Sequence, residues 1–422
     1  MVSGGAGRES VVVIGRKLYR RSKYDGMKIL AICSSLDLRY PFSCTPAWWQ
    51  LFKGLYEIGV EVVATPYQGY AVEGLWWKVY GNPCQWEGEL FRRARNLVRR
   101  TPGGLKDTCQ PEQTGESLSD KMVRKLANAF IRPRWQRHIC QILEVERDID
   151  AILVLTVPLN HLAGLPRCVK TRYSLPVIYY DGDMPESLPA FQGFASGFKI
   201  YQGADLAEYD GFICNSEGGA IELGKMGAGS VHVLHYGADP DLFHPVDVEQ
   251  DIDVFFYGHG CEYRREWIEQ MIAIPSCQMN GARFAVRGTA MDVDLGRAQQ
   301  LPYASFSKLR EYCCRSKINL NITRRAHASV YASSSSRPFE LAALGCCIVS
   351  NPVEGMEEWF EPGHEVFIVH DAQEAVRTYG RLLADEGKRQ AAGQRARGRV
   401  LREHTYRRRA RQLVEIIRSI GG

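Results

Sequence analysis

The chain has 422 residues, of which 45% are apolar and 24% are charged. These values are ordinary for a globular protein, so global disorder is excluded, and the length leaves room for two domains of usual size. The net charge of +5 is too small to indicate a nucleic-acid partner, and none is expected.

The amino-terminal part of the chain predicts a β-α-β unit behind a short extension. Residues 1–26 are Gly-rich and then basic, and we expect them to precede the fold. Met27 opens an apolar strand, KILAICS, followed by a helix over 47–58 and a second strand, VEVVATPY. Such a unit requires a parallel sheet with a right-handed crossover. Residues 101–120 have no periodic apolar face and are predicted to form a long mobile loop, before helix resumes over 121–143.

Further strands alternate with helices in two successive sets. They are predicted at 151–157, 176–181 and 211–216, then at the run DIDVFFYGHG, and finally at 282–288, 316–323, 346–351 and 366–370. This alternation predicts an α/β protein built from two doubly wound domains. We place the domains at 27–245 and 246–400, with a further helix over 401–422.

The cysteines and the apolar runs bear on where the protein works. Thirteen cysteines are scattered along the chain, with vicinal pairs at Cys313–Cys314 and Cys346–Cys347 and no C-x-x-C motif. This pattern favours reduced thiols over a disulfide framework or a zinc knuckle. No apolar run approaches the roughly 20 residues that span a bilayer. We therefore expect a cytoplasmic protein whose contact with a membrane, if any, is peripheral at the inner face.

The most informative stretch is a polar loop that leads into a helix. Ser335 and Ser336 end a run of four serines directly before Arg337, while Pro338 suits the first helical turn and Gly345 the residue past the helix end. The first N–H groups of a helix lack partners and lie at the positive end of its dipole, so they bind anions.

Two side chains of that helix add to the pattern. Arg337 is a planar cation that can hold a phosphate at two points. The Glu340 carboxylate can accept from two neighbouring hydroxyls, as a ribose presents them. The residues thus predict a phosphorylated, hydroxylated ligand; the alternative is a plain loop-to-helix joint.

The run RPFELAALGCCIVSNPVEGMEEWFEPGHEVFIV resembles the nucleotide-sugar half-site of family 4-like GT-B glycosyltransferases, and most of all the CgeB-like, spore-maturation group. The resemblance implies the GT-B fold, with two Rossmann-like doubly wound domains facing a central cleft. It places the nucleotide sugar in domain 246–400 and the acceptor in domain 27–245, with helix 401–422 crossing back to the latter. It also implies that Glu340 contacts the ribose. Ala332 stands where these families often have another Glu, near the donor sugar.

A second constellation, YGHGCEYRREW, follows the strand that opens the second domain. By the same resemblance, His259 stands in the place of an Arg and Arg264 in the place of a Lys that neutralise the leaving diphosphate. Fixed cations suit that step, because negative charge grows on the bridging oxygen. Arg324 follows another predicted strand, at the sheet edge where ligands collect. The alternative for all these cations is solvated surface charge.

The first domain carries polar residues at predicted strand ends. His161 is a candidate hydrogen-bond donor or base at the cleft; its alternative is a structural histidine. Asp181 and Asp183 directly follow a buried strand and could orient an acceptor hydroxyl or take its proton. The alternative is an Asx-type turn that satisfies backbone groups. Asp-Gly-Asp also resembles part of a metal motif, but the GT-B resemblance implies no metal, and none is predicted.

The expected function is transfer of a sugar, of the hexosyltransferase type, from a nucleotide-diphosphate sugar to an unknown glycan, lipid or small-molecule acceptor. The resemblance implies retention of configuration, and no cofactor is expected beyond the donor substrate. The competing hypothesis is a non-catalytic nucleotide-sugar-binding or degenerate GT-B protein, suggested by Ala332 and His259. An NAD-linked oxidoreductase is disfavoured because no full G-x-G-x-x-G fingerprint occurs. The aromatic stretches 47–59 and 74–100 could stack on an acceptor or fill the core.

Overall fold

The computed structural model describes residues 26–36, 46–89, 125, 127–189, 200–260, 264–289, 291, 293–302 and 304–421. The predicted mobile loop over 101–120, and all of the predicted extension except Gly26, lie outside the described residues.

The first domain is a seven-stranded parallel sheet covered by helices. Its strands are β1 Lys28–Ser35, β2 Glu61–Gln68, β3 Lys78–Val79, β4 Ala151–Leu155, β5 Val177–Asp181, β6 Gly211–Cys214 and β7 Val231–Val233. Its helices are α1 Ala47–Glu57, α2 Arg132–Val145, α3 Leu165–Tyr173 and α4 Glu217–Lys225. The spatial order is β3-β2-β1-β4-β5-β6-β7, with every pair parallel. All residues of β4 and β5 are buried, as apolar runs covered on both faces require.

The second domain is a six-stranded parallel sheet. Its strands are β8 Ile252–His259, β9 Phe284–Thr289, β10 Gln299–Gln300, β11 Ser316–Asn321, β12 Ile348–Ser350 and β13 Val366–Ile368. Its helices are α5 Arg265–Ile268, α6 Ile274–Gln278, α7 Phe306–Cys314, α8 Arg325–Ser329, α9 Ser336–Ala343, α10 Ala372–Ala384 and α11 Glu386–Glu403, with α5 and α6 joined through a π-helical turn. The order is β10-β9-β8-β11-β12-β13.

Each sheet has one point at which the strand order reverses. In the first sheet it lies between β1 and β4, and in the second between β8 and β11. Neighbouring connections leave to opposite sides there, which opens a crevice at the carboxyl ends of the two strands. These two crevices are where the fold itself places ligands.

A helix from the second half of the chain belongs to the first domain. α12, Tyr406–Gly421, buries Leu413 and Ile417 in the apolar core that contains β1 and α1. α11 continues to Glu403, so the break before this helix falls at His404–Thr405, a few residues beyond the expected boundary at 401.

The chain crosses between the domains at two adjacent places. Ala238 N donates to His404 O at 3.0 Å, and Tyr406 N donates to Ala238 O at 3.2 Å. The approach is close, because a Cβ at Gly237 would lie 2.5 Å from the His404 carbonyl oxygen. Glycine at 237 is therefore required by this pairing. Among the described residues, no helix is long and apolar enough to cross a membrane.

Candidate functional site

Two guanidinium groups converge at the crevice of the second sheet. Arg337 Nη1 donates to Ile322 O at 2.8 Å, and Arg264 Nε donates to the same oxygen at 3.1 Å. Ile322 directly follows β11, one of the two strands at the crevice. Arg264 is buried and Arg337 half-buried, so their charges are screened less than charges on an open surface. The pair provides positive charge where the topology predicts a ligand.

Residues of β8, the other strand at the crevice, contact the Arg337 side chain and help to position it. The Arg337 guanidinium lies over the rings of Phe256 and Tyr257, with its carbon 5.2 and 5.0 Å from the ring centroids. A Cβ at Gly258 would lie 2.7 Å from Arg337 Nη2, so the absent side chain lets the guanidinium approach the strand. His259 ends β8 with an exposed side chain. The structure thus brings His259 to the same strand end as Arg337.

Glu340 lies one helical turn from Arg337 and is only 1% exposed. Gln50 Nε2, from α1 of the first domain, donates to its Oε1 at 3.3 Å, and the Tyr257 hydroxyl donates to its Oε2 at 3.3 Å. Burial raises the pKa of Glu340 to about 7, while Gln50, Arg337 and Tyr257 act in the opposite direction. A carboxylate with two long hydrogen bonds retains capacity for stronger donors.

The four serines before α9 divide into two pairs. Ser333 and Ser334 join the domains: their hydroxyls bond Ser216 Oγ at 2.6 Å and the Asn215 carbonyl at 3.0 Å, respectively. Ser335 is the N-cap residue and Ser336 the first residue of α9, and both are half-buried. The anion-binding arrangement expected from the sequence therefore involves only the second pair.

Ala332 is fully buried and adopts a left-handed backbone conformation with φ of +47°. Its N–H donates to Glu354 O at 2.9 Å, and a Cβ at Gly355 would lie 2.4 Å from its nitrogen. A non-glycine residue in this region stores about 1–3 kcal/mol of strain, of a kind that clusters at functional sites. The position that resembles the donor-sugar Glu of related families is thus closely packed.

The two aspartates of the first domain have different surroundings. Asp181 is fully buried; its Oδ2 accepts from the hydroxyls of Ser187 and Tyr201, both at 2.5 Å, and its Oδ1 accepts from Asp183 N at 2.9 Å. This geometry is the Asx-type turn that the sequence left open. Burial, followed by the charge of Asp181, raises the pKa of Asp183 to about 6, against the opposing charge of Arg324.

A carboxylate that the sequence analysis missed contacts the cations. Glu186, 2% exposed, pairs with Arg324 Nη1 across the cleft, and its Oε1 lies 3.5 Å from His327 Nδ1. Burial by itself would raise the pKa of Glu186, but His327, Arg324 and Arg264 outweigh it and lower that pKa. The only signal in the sequence was the position of Glu186 three residues beyond Asp183.

His161 lies in a short 3-10 helix, Leu159–Leu162, after β4 at the crevice of the first sheet. Its Nδ1 lies 2.5 Å from the Tyr67 hydroxyl, and burial lowers the pKa of His161 to about 4. The structure places His161, Asp181, Asp183, His259 and Arg324 at or shortly after the carboxyl ends of strands. Arg264 and Arg337 reach the end of β11 through Ile322, whereas Ser335, Ser336 and Glu340 belong to the start and the body of α9. The structure adds Gln50, Glu186, His327 and Tyr67 to these residues.

Two doubly wound parallel sheets, joined at a double crossing and facing each other through strand ends, make this a GT-B fold. Residues 264–415, which include Arg264, Arg337 and Glu340, match a family model described as glycosyl transferase-like. This match and the fold support a GT-B glycosyltransferase. No curated protein sequence matches the chain at a significant level.

Solved structures share the fold over nearly the whole chain. Sucrose-phosphate synthase from Thermosynechococcus elongatus is 15% identical with a TM-score of 0.60, covering 93% of this chain and 99% of that one. α,α-Trehalose 6-phosphate synthase from Burkholderia multivorans is 12% identical with a TM-score of 0.58, covering 94% and 99%. Anabaena HepE in complex with UDP-glucose is 12% identical with a TM-score of 0.56, covering 93% and 100%. At such identities the likeness establishes the fold.

Proposed function

We propose that the protein transfers a sugar from a nucleotide-diphosphate sugar, held by the second domain, to an acceptor held by the first. The observation that carries the proposal is the convergence of Arg264 and Arg337 on the Ile322 carbonyl. Cations fixed in this way need no reorganisation when the diphosphate departs, and fixed charge of this kind is the usual means of stabilising a developing anion.

The nucleotide side of the site consists of the first turn of α9 and Glu340. Backbone N–H groups at Ser335 and Ser336 face the phosphates, and the Glu340 carboxylate accepts from the ribose hydroxyls. Arg324 adds positive charge beyond the end of β11, and His259 adds an imidazole at the end of β8. This arrangement supports assignment to family 4-like enzymes of the CgeB-like branch. The sequences Phe339-Glu340 and Phe360-Glu361-Pro362-Gly363, which resemble motifs of that branch, add to this support.

The acceptor side depends on Asp183 more than on Asp181. The Asp183 carboxylate accepts no hydrogen bond from the described residues and lies within the field of Arg324. It therefore orients an acceptor hydroxyl, while Asp181 maintains the turn that presents it. Transfer proceeds with retention, and the departing phosphate takes the acceptor proton. We keep the acceptor as a glycan, a lipid or a small molecule, and the site of action as cytoplasmic with at most peripheral membrane contact.

No metal takes part in this proposal. Among the described residues, no group of three or more His, Cys, Asp or Glu side chains is arranged to hold a metal ion. The expected cations of the site are guanidinium groups. Transfer measured with and without a chelator tests this point, since a strict requirement for a divalent ion would contradict it.

The deciding experiment has two stages. Thermal unfolding with UDP, GDP, ADP and TDP should show a stabilising shift for one nucleotide, because a ligand that binds only the folded state stabilises it by about 2.7 kcal/mol at 100 times its dissociation constant. Sugar donors of that nucleotide should then yield free nucleoside diphosphate when acceptors are present. A failure of all four nucleotides to bind would overturn the proposal.

A second candidate function is nucleotide-sugar binding without catalysis. It is favoured by Ala332, packed where related families have a Glu, and by Glu186, which already neutralises part of the cationic site. Nucleotide binding with no release of diphosphate from any donor would support it.

A further inference from the structure

Tyr67 and His161 form a pair at the carboxyl ends of β2 and β4, the two strands that flank β1. Tyr67 is the penultimate residue of β2, and His161 follows β4. The Tyr67 hydroxyl lies 2.5 Å from His161 Nδ1, and the two rings are tilted by 32° with centroids 5.7 Å apart. Trp135 stacks on the Tyr67 ring, at 5.6 Å between centroids. The stacked Trp135 ring and the bond to His161 together restrict the orientation of the phenol.

The pair can be hydrogen-bonded in two ways. Either the phenol donates to a bare Nδ1, so that Nε2 carries the ring proton, or Nδ1–H donates to the phenol oxygen and Nε2 is bare. Tyr67 is 9% exposed, and its hydroxyl has no other partner among the described residues. In the second arrangement the phenol proton would lack an acceptor in a largely buried place, which is costly. The first arrangement satisfies both groups.

We propose that Tyr67 is a positioning residue that fixes His161 in the Nε2–H tautomer, so that His161 donates a hydrogen bond to an oxygen of the ligand in the cleft and does not act as a base. Nε2 has no partner among the described residues, and the ring is partly exposed. Burial lowers the pKa of His161 to about 4, which keeps the ring neutral at physiological pH. The identity of the ligand oxygen, as a sugar hydroxyl or a phosphate, rests on the proposed function. The assignment of the tautomer is independent of that function.

Nitrogen NMR of the full-length protein, labelled with ¹⁵N only in histidine, tests the tautomer directly. Two-bond proton couplings distinguish a ring protonated at Nε2 from one protonated at Nδ1, and the signal missing from His161→Gln identifies the residue. We expect a single Nε2–H tautomer in the unmodified protein and a mixture in Tyr67→Phe. An Nδ1–H ring in the unmodified protein would overturn the proposal, whether or not any transfer has been detected.

Turnover of matched variants tests the role. The amide nitrogen of Gln reaches the place of Nε2, whereas that of Asn reaches only the place of Nδ1. His161→Gln should therefore keep kcat/KM within about threefold, while His161→Asn and Tyr67→Phe should each lower it about tenfold, as expected for one neutral hydrogen bond. Tyr80→Phe, which removes a hydroxyl bonded to Glu146 elsewhere in the same domain, is the control. Equal losses in His161→Gln and His161→Asn would identify a base and refute the donor.

Discussion

Glu186 of the first domain and Arg324 of the second form an ion pair across the cleft, with the carboxylate 2% and the guanidinium 25% exposed. His327 lies on the other oxygen of Glu186 at 3.5 Å. The contact joins the loop after β5 to the loop after β11, so it links the acceptor side of the cleft directly to the cations of the donor side. The Glu186 carboxylate also puts a negative charge beside the cations that would bind the negatively charged diphosphate.

Replacement of Glu186 tests what this carboxylate does. Glu186→Gln leaves Arg324 and Arg264 with less compensation, so we expect the free energy of unfolding without nucleotide to fall by about 1–3 kcal/mol. A bound nucleoside diphosphate should restore the missing negative charge and give a larger thermal shift than in the unmodified protein. Glu222→Gln, at an exposed pair with Lys225, is the matched control. Equal nucleotide shifts in Glu186→Gln and the unmodified protein would show that Glu186 and the diphosphate do not interact.

Arg264 should matter more for turnover than for nucleotide affinity. Arg264→Ala should lower kcat about 10²–10³-fold, because a fixed cation contributes most when charge develops on the leaving group. Arg264→Lys should recover part of this loss. Arg265→Ala should be tolerated, since the Arg265 side chain is exposed on α5 while Arg264 is buried against Ile322. Steady-state kinetics with a thermal melt of each variant separates catalysis from stability, and equal defects at Arg264 and Arg265 would indicate a diffuse basic surface.

Asp181 and Asp183 should respond differently to replacement by Asn. Asp183→Asn should reduce transfer while nucleotide affinity stays unchanged. Asp181→Asn should lower the free energy of unfolding by about 1–3 kcal/mol, because an amide NH₂ cannot accept from both Ser187 and Tyr201. Calorimetric titration with nucleotide and urea unfolding measure the two effects. Loss of nucleotide binding in Asp183→Asn would place that carboxylate on the donor side.

Glu340 should make stability depend on pH. Burial raises its folded-state pKa from 4.5 to about 7, so the folded state holds the proton more tightly than the unfolded state between these values. Stability therefore decreases as pH rises from about 4.5 to about 7, by up to about 3 kcal/mol from this group. Glu340→Gln should remove that part of the slope in urea titrations at several pH values. An unchanged slope would mean that Glu340 is charged at neutral pH.

The same variant should report on the nucleotide. If Glu340 accepts from the ribose, Glu340→Gln weakens nucleotide binding by about 1–3 kcal/mol, the range for hydrogen bonds to a charged group. Gln50→Ala should weaken binding less, since Gln50 is expected to act through its hydrogen bond to Glu340. Unchanged affinity in Glu340→Gln by calorimetry would remove Glu340 from the site.

The two parallel sheets were predictable because their central strands are buried on both faces and read as apolar runs, as in β4 and β5. The edge strands β3 and β10, two residues each, carry no such pattern, and neither was predicted. Arg264, Arg337 and Glu340 could be proposed from the sequence because they sit near helix starts in one half of the chain. Glu186 and Gln50 were not, because their partners lie 138 and 290 residues away and become neighbours only when the domains meet.

The position of α12 has a consequence for how the protein is made. The apolar face of α12, with Leu413 and Ile417, packs in the same core as α1. The two helices are far apart along the chain: Arg407 of α12 donates to Glu57 of α1, 350 residues earlier. A nascent chain therefore exposes the matching surface of α1 throughout synthesis of the second domain. During that time the exposed surface is open to chaperones and to misassociation. The first domain therefore cannot be completed on the ribosome until the second domain has been synthesised, even though it has its own sheet.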